Sequence, residues 1–253
     1  MDFKQQLFFD GAMGTMLQQG FSEVDIYRQY IEAGADILTS NTFGIFDGNR
    51  IKEAIGHMKE ARGTGRKFLA LDIGPTGQLL EPYGDLTYKE CYNMFLTAAE
   101  AGAKAGADFI LVETMTDLEE LKAAVTAAKT TGLPVAATMT FEKSGRTMMG
   151  CTLQGMVLLL ESLRVDALGM NCGYGPDLYE ELLPQLAELT DLPIIVQPNA
   201  GLPEIVDGKP HYSMTPEAFA QAMTPMIKYA KLLGGCCGTT PAHIKEMIAI
   251  CRG

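Results

Sequence analysis

Short apolar runs of four to six residues alternate along the chain with longer stretches in which apolar side chains recur at helical spacing. The runs predict strands at Leu7 to Asp10, Ile37 to Thr42, Phe68 to Ile73, Phe109 to Glu113, Val135 to Thr140, Ala167 to Asn171, Ile194 to Gln197 and Tyr229 to Leu233. Between them the pattern predicts helices over Tyr88 to Ala105, Asp117 to Thr131, Pro176 to Leu189 and Pro216 to Lys228. Two of these have recognisable starts, Pro216 in the first turn after Thr215 and Asp117 after Thr116. Strands separated by helices imply right-handed crossovers and a parallel sheet.

Eight such strands fit a closed parallel (β/α)8 barrel, the TIM barrel of the α/β class. An open doubly wound sheet would show the same alternation, and a glycine-rich dinucleotide loop after the first strand would favour it. The first strand is followed by Asp10-Gly11-Ala12-Met13-Gly14-Thr15, which lacks the G-x-G-x-x-G spacing and the lysine of a phosphate loop. The predicted strand ends carry polar or thiol residues, among them Asp10, Asn41, Asp72, Glu113, Thr140, Asn171 with Cys172, Asn199, and Cys236 with Cys237. In a barrel all these ends face one mouth, where active sites of the fold lie.

Composition narrows the class. With 253 residues, 47% of them apolar, and no linker-like segment, the chain reads as one domain over 1–253. A net charge of -11 leaves no basic patch for nucleic acid or an anionic membrane. No run approaches the roughly 20 apolar residues of a membrane span, and no leader is evident, so a cytoplasmic location is expected. Six cysteines without a secretion signal predict reduced thiols, a metal site or both. Cys91 and Cys251 lie in helical patterns and read as packing residues, as do Met148, Met149 and Met156.

The run Gly234-Gly235-Cys236-Cys237-Gly238-Thr239-Thr240-Pro241 carries the sharpest chemical signal. Adjacent side chains of an extended chain point to opposite faces, so aiming both sulfurs at one point requires a bend that flanking glycines permit. Together with Cys172 the pair offers three thiolates, a soft set that selects zinc and leaves a fourth position exchangeable. The alternative is that Cys172 is a small buried hydrophobe and the pair a vicinal dithiol. His243 lies beyond Pro241 and is not expected to be a ligand. Three thiolates leave little charge on zinc to acidify water, so thiol alkylation suits the site better than hydrolysis.

Several motifs in order along nearly the whole chain resemble homocysteine S-methyltransferases. They are Asp10 to Leu17, Tyr30 to Asp36, Asn41-Thr42-Phe43-Gly44, Leu71 to Gly77, Glu113-Thr114, Asn171-Cys172, Pro198 to Gly201 and the Gly-Gly-Cys-Cys-Gly-Thr-Thr-Pro run. The similarity is greatest to the homocysteine-binding module of cobalamin-dependent methionine synthase. The resemblance implies a (β/α)8 barrel with zinc on Cys172, Cys236 and Cys237, and homocysteine sulfur as the exchangeable ligand, activated as a thiolate that accepts a methyl group to give methionine. It places Asp10 and Glu113 near the substrate ammonium, the Gly11 to Thr15 loop near its carboxylate, and Asn171 and Asn199 at the site. Either acid could instead be a structural strand-end carboxylate, and Asp72 either shapes the pocket or stabilises a tight turn at Gly74-Pro75.

Two departures from the family pattern carry expectations. The chain looks shorter between Gln18 and Tyr30 and between Phe46 and Phe68, which predicts short, polar first and second helices, weakened in the second by Gly56, Gly63 and Gly65. That would loosen barrel closure on this side and motivates a rival reading as a non-catalytic zinc- or thiol-binding barrel. A chain of this length also has no room for folate or cobalamin modules. The implied donor is therefore methylcobalamin on a separate corrinoid protein or module, with a free sulfonium such as S-methylmethionine as the alternative.

Overall fold

The structure is a computed structural model that describes residues 2–206 and 209–252. Met1, Asp207, Gly208 and Gly253, within the span 1–253 expected for the domain, lie outside the described residues. The elements run β1 (Leu7–Phe8), α1 (Gly14–Leu17), α2 (Glu23–Glu32), β2 (Ile37–Thr39), α3 (Gly48–Arg62), β3 (Phe68–Ile73), α4 (Tyr88–Ala105), β4 (Phe109–Met115) and α5 (Leu118–Lys129). They continue with β5 (Val135–Met139), α6 (Leu153–Ser162), β6 (Ala167–Asn171), α7 (Pro176–Leu189), β7 (Ile194–Gln197), a hairpin of β8 (Glu204–Val206) and β9 (Lys209–His211), α8 (Pro216–Met223), β10 (Leu232–Leu233) and α9 (Pro241–Arg252).

Eight strands form one parallel sheet in the order β1, β10, β7, β6, β5, β4, β3, β2. A parallel bridge from Phe9 to Ile37 brings the two outer strands together, with the Asp10 N–H donating to the Ile37 carbonyl at 3.0 Å and the Asp36 N–H to that of Phe8 at 2.7 Å. The ring is a nearly closed barrel. Its interior is plugged by Phe9, Ile37, Phe109, Leu111 and Ile195, while alternate strand residues such as Leu69, Leu71 and Ile110 pack outward against the helices.

The expected weakness of the second βα unit is corrected. Helix α3 has 15 residues, starts at Asp47, whose carboxylate accepts the N–H groups of Asn49 and Arg50, and buries Ile51, Ala54, Ile55 and Met58. Gly63, at φ +55°, ends this helix rather than weakening its middle. The first helix is short, with ten residues in α2, but Ser22 caps it and Ile26, Tyr27 and Tyr30 anchor it in the core.

Strand ends also differ from expectation. The first strand stops at Phe8 and the second at Thr39, so Asp10 and Asn41 sit in the loops just beyond. The helix expected to reach Lys228 is α-helical only to Met223, because Pro225 has no N–H to donate, and Thr224–Lys228 tightens into a 3-10 turn. No helix among the described residues is long and apolar enough to cross a membrane.

Candidate metal and substrate site

The mouth of the barrel holds a cleft of about 400 Å3 lined by Asp10, Gly11, Thr15, Asp72, Glu113, Cys172, Cys236 and Cys237, together with Phe43, Gln197 and Tyr212. The cysteines reach it by local devices. Cys172 follows the last residue of β6 with φ +61°, a left-handed conformation costly for a side chain and held here by hydrogen bonds from its N–H to the Gln197 carbonyl and from the Tyr179 hydroxyl to its own carbonyl. The Cys236–Cys237 bend is pinned by the Cys236 N–H on the Pro198 carbonyl and the Ala200 N–H on the Cys237 carbonyl. Gly235 has to be glycine, since a Cβ there would lie 2.5 Å from Thr239, whose hydroxyl closes the turn onto the Cys236 carbonyl at 2.7 Å.

The three sulfurs converge. Cys172 and Cys237 lie 4.0 Å apart, Cys236 and Cys237 3.9 Å apart, and all three within 4.8 Å of one another. Sulfurs about 2.3 Å from a tetrahedral zinc would be separated by about 3.8 Å, close to the two separations that Cys237 makes. The electrostatics point the same way. Hydrogen bonds from Cys172 and Cys236 hold the Cys237 thiol down to about 3, leaving a thiolate, while its partners keep their protons. Cys236, hydrogen-bonded to Cys172 and Cys237, is raised, and Cys172 is pushed up to about 12 by its bond to Cys237 and by burial, against the lowering bond from Cys236. A trio that shares protons in this way is a cluster that could hold a metal.

Three acids line the same cleft, Asp10 and Asp72 buried and Glu113 half-buried. Burial raises Asp10 to about 8 although its carboxylate accepts the Thr39 N–H at 2.8 Å. Burial and the nearby Cys237 charge raise Glu113 to about 7, opposed by a hydrogen bond with Asp72. Asp72 rises well above the ordinary carboxylate range through burial and the charge of Glu113. It is the fifth residue of the six-residue strand β3 and not part of the Gly74-Pro75 turn. Among the described residues lining the cleft there is no Lys, Arg or His, so any compensating charge comes from a ligand.

Other expected residues take supporting places. Asn171 is fully buried and uses its whole hydrogen-bonding capacity on neighbours: its oxygen accepts from the Thr114 N–H and the Thr138 hydroxyl, and its amide donates to Glu113 at 3.0 Å and to Thr114. Its amide aims Glu113, and Asn171 itself is not among the residues that line the cleft. Asn199 is buried with an Oδ1 that lacks a partner, and its N–H donates to the Tyr174 carbonyl beside the Cys237 turn. Thr15 Oγ1 is likewise buried and unpaired. Gly11 packs so closely on Thr239 that a Cβ would lie 2.5 Å from its hydroxyl and 3.0 Å from that of Tyr30. His243 accepts the Thr240 N–H and meets the Met214 carbonyl at 2.9 Å, which makes it a brace at the start of α9.

Gln197, the inward residue two positions after Ile195 on β7, also lines the cleft. Tyr212 follows the β8–β9 hairpin, and no pattern in the sequence places it over Gly238.

The sequence profile of the family described as Homocysteine S-methyltransferase matches residues 7–251. The chain belongs to that family. It is 33% identical over 288 aligned residues to the methionine synthase of Mycobacterium tuberculosis, covering 95% of this chain and 24% of that protein. The chain thus spans about a quarter of that relative's length, and an alignment longer than 253 residues means that the relative carries insertions within the matched region. Among solved structures, the apo form of the homocysteine methyltransferase MmuM from Escherichia coli superposes with a TM-score of 0.79 at 25% identity, covering 97% of this chain and 96% of that one. The metallated form of the same protein matches with a TM-score of 0.80 at 23% identity over 97% and 96%, a likeness of fold. This homocysteine S-methyltransferase family member therefore has the methyltransferase barrel with its sulfur cluster at the mouth.

Proposed function

We propose that the chain is a zinc-dependent homocysteine S-methyltransferase whose product is methionine. The observation that carries the reading is the convergence of three sulfurs, within 4.8 Å, on a cleft whose described lining holds the carboxyls of Asp10, Asp72 and Glu113 and no Lys, Arg or His. Cys172, Cys236 and Cys237 would hold zinc, which when bound supplies a Lewis acid that keeps a substrate thiol deprotonated near neutral pH. Asp10 and Glu113 bind the substrate ammonium, and Asn171 fixes the direction of Glu113. The Gly11 to Thr15 loop receives the carboxylate, with the Thr15 hydroxyl as a free donor. A cytoplasmic, reducing compartment suits a chain with six free thiols.

In the reaction a sulfur lone pair of homocysteine forms the new S–CH3 bond, the donor keeps the electron pair of the bond that breaks, and the thiol proton leaves to solvent. The donor expected from the resemblance is methylcobalamin on a separate protein or module. The methionine synthase relative, four times longer, supports that source. The end-to-end match to the E. coli homocysteine methyltransferase, a chain of similar length, supports the alternative of a free small-molecule donor, for which a sulfonium is our candidate. The non-catalytic rival drew on a weakened first half, and a 15-residue α3 beside a bridged β1 and β2 removes that ground.

Cys236→Ala tests the assignment. The variant should lose zinc retention and methionine formation with either donor while its circular dichroism stays that of the parent. A variant that keeps one zinc per chain and its turnover would refute the assignment.

A further inference from the structure

The period of two along the barrel strands decides which side chains meet inside. Ala70 of β3 and Leu111 of β4 belong to the apolar plug, and the residues two positions on, Asp72 and Glu113, face the same way one layer higher and line the cleft. The backbone of Asp72 is fixed from β2 and its loop. Its N–H donates to Ser40 Oγ at 2.9 Å, its carbonyl accepts from Thr42 Oγ1 at 2.7 Å, and those two hydroxyls are themselves 2.6 Å apart.

The side chain is treated differently. Asp72 is only 5% exposed, yet its Oδ1 has no donor. Asp10 has the Thr39 N–H and Glu113 has the Asn171 amide. What Asp72 reaches is Glu113, and two carboxylates are both acceptors, so the contact becomes favourable only with a proton or a cation between them. No cationic side chain lines the described cleft. A buried acid whose side chain meets only another acid, in a cleft with no cationic side chain among its described lining, is the arrangement an incoming cation would complement, which points to a ligand contact.

An α-ammonium group has three N–H donors. We propose that Asp72 is the third carboxylate of the ammonium seat, so that Asp10, Asp72 and Glu113 each accept one N–H and together select amino-acid thiols over thiols without an amine. The proposal rests on the reading of this cleft as a homocysteine site and adds a specificity-determining residue to it.

The test compares homocysteine with 4-mercaptobutanoate, which keeps the thiol and carboxylate but lacks the amine, by calorimetric titration of the zinc-loaded protein. Asp72→Asn should weaken homocysteine by about tenfold or more, the scale of one charge-assisted hydrogen bond, and leave 4-mercaptobutanoate unchanged. The metal-free variant should also melt above the parent, because a neutral amide replaces a donorless buried acid. A merely structural Asp72 would give a lower melting temperature and an equal loss for both thiols, and that result, or an unchanged preference, overturns the inference. Asp72→Ser provides the same comparison if the asparagine variant does not fold. If the parent binds homocysteine and only the selectivity prediction fails, the homocysteine reading stands without this residue; if the parent binds neither thiol, both fall.

Discussion

Asn171 shows how one buried side chain connects the scaffold to the chemistry. Its four hydrogen-bonding positions join β4, β5 and β6 and hold Glu113 against the cleft. Asn171→Ala leaves the buried Thr138 and the half-buried Thr114 and Glu113 without their partner, at a cost of about 2–4 kcal/mol from unsatisfied polar groups. Urea denaturation should show that loss, homocysteine affinity should drop with it, and zinc content should remain one per chain, since no sulfur depends on Asn171. Loss of the metal in this variant would contradict the division of labour. At this scale the sequence was informative where chemistry is scarce: three cysteines and two strand-end acids stand out from a hydrophobic background. It was silent on Tyr212, which reaches the sulfurs through the tertiary placement of a hairpin.

Among the elements, legibility followed the strength of local signals. Helices α4 and α7 lie where the apolar period placed them, α4 with a Thr87–Glu90 capping box and α7 with Pro176 in its first turn. The central strands, apolar on both faces, were equally plain. Errors collected where tertiary contacts override local preference. The stretch from Gly48 to Arg62 reads as polar with an internal glycine, but one face carries Ile51, Ile55 and Met58 at helical spacing, and burial of that face outweighs the roughly 1 kcal/mol disadvantage of Gly56. The first and last strands lie inside the runs that predict them but have only two residues each, and they are held by partners that the barrel supplies on both sides.

For the molecule as a whole, the acidic mouth makes an unliganded state that resists ionisation. Asp10 has a value of 3.8 without its environment and about 8 within it, so folding favours its protonated form. Between these values the folded state binds more protons than the unfolded chain, and stability declines as pH rises. The Asp10 contribution is complete below about pH 4 and gone above about pH 8. The urea midpoint of the metal-free protein should therefore fall from pH 4 to pH 8, and Asp10→Asn should fall less steeply. Parallel curves for the two proteins would show that Asp10 does not carry the slope. Bound cations reverse this burden, which links the charge pattern to a metal and an ammonium-bearing substrate.

That link is tested most directly by X-ray absorption at the zinc edge with and without homocysteine. One zinc per chain, with three sulfur neighbours rising to four when homocysteine is added, is the predicted result. A chain that retains no zinc, or a shell that stays the same when homocysteine is present, would contradict the account.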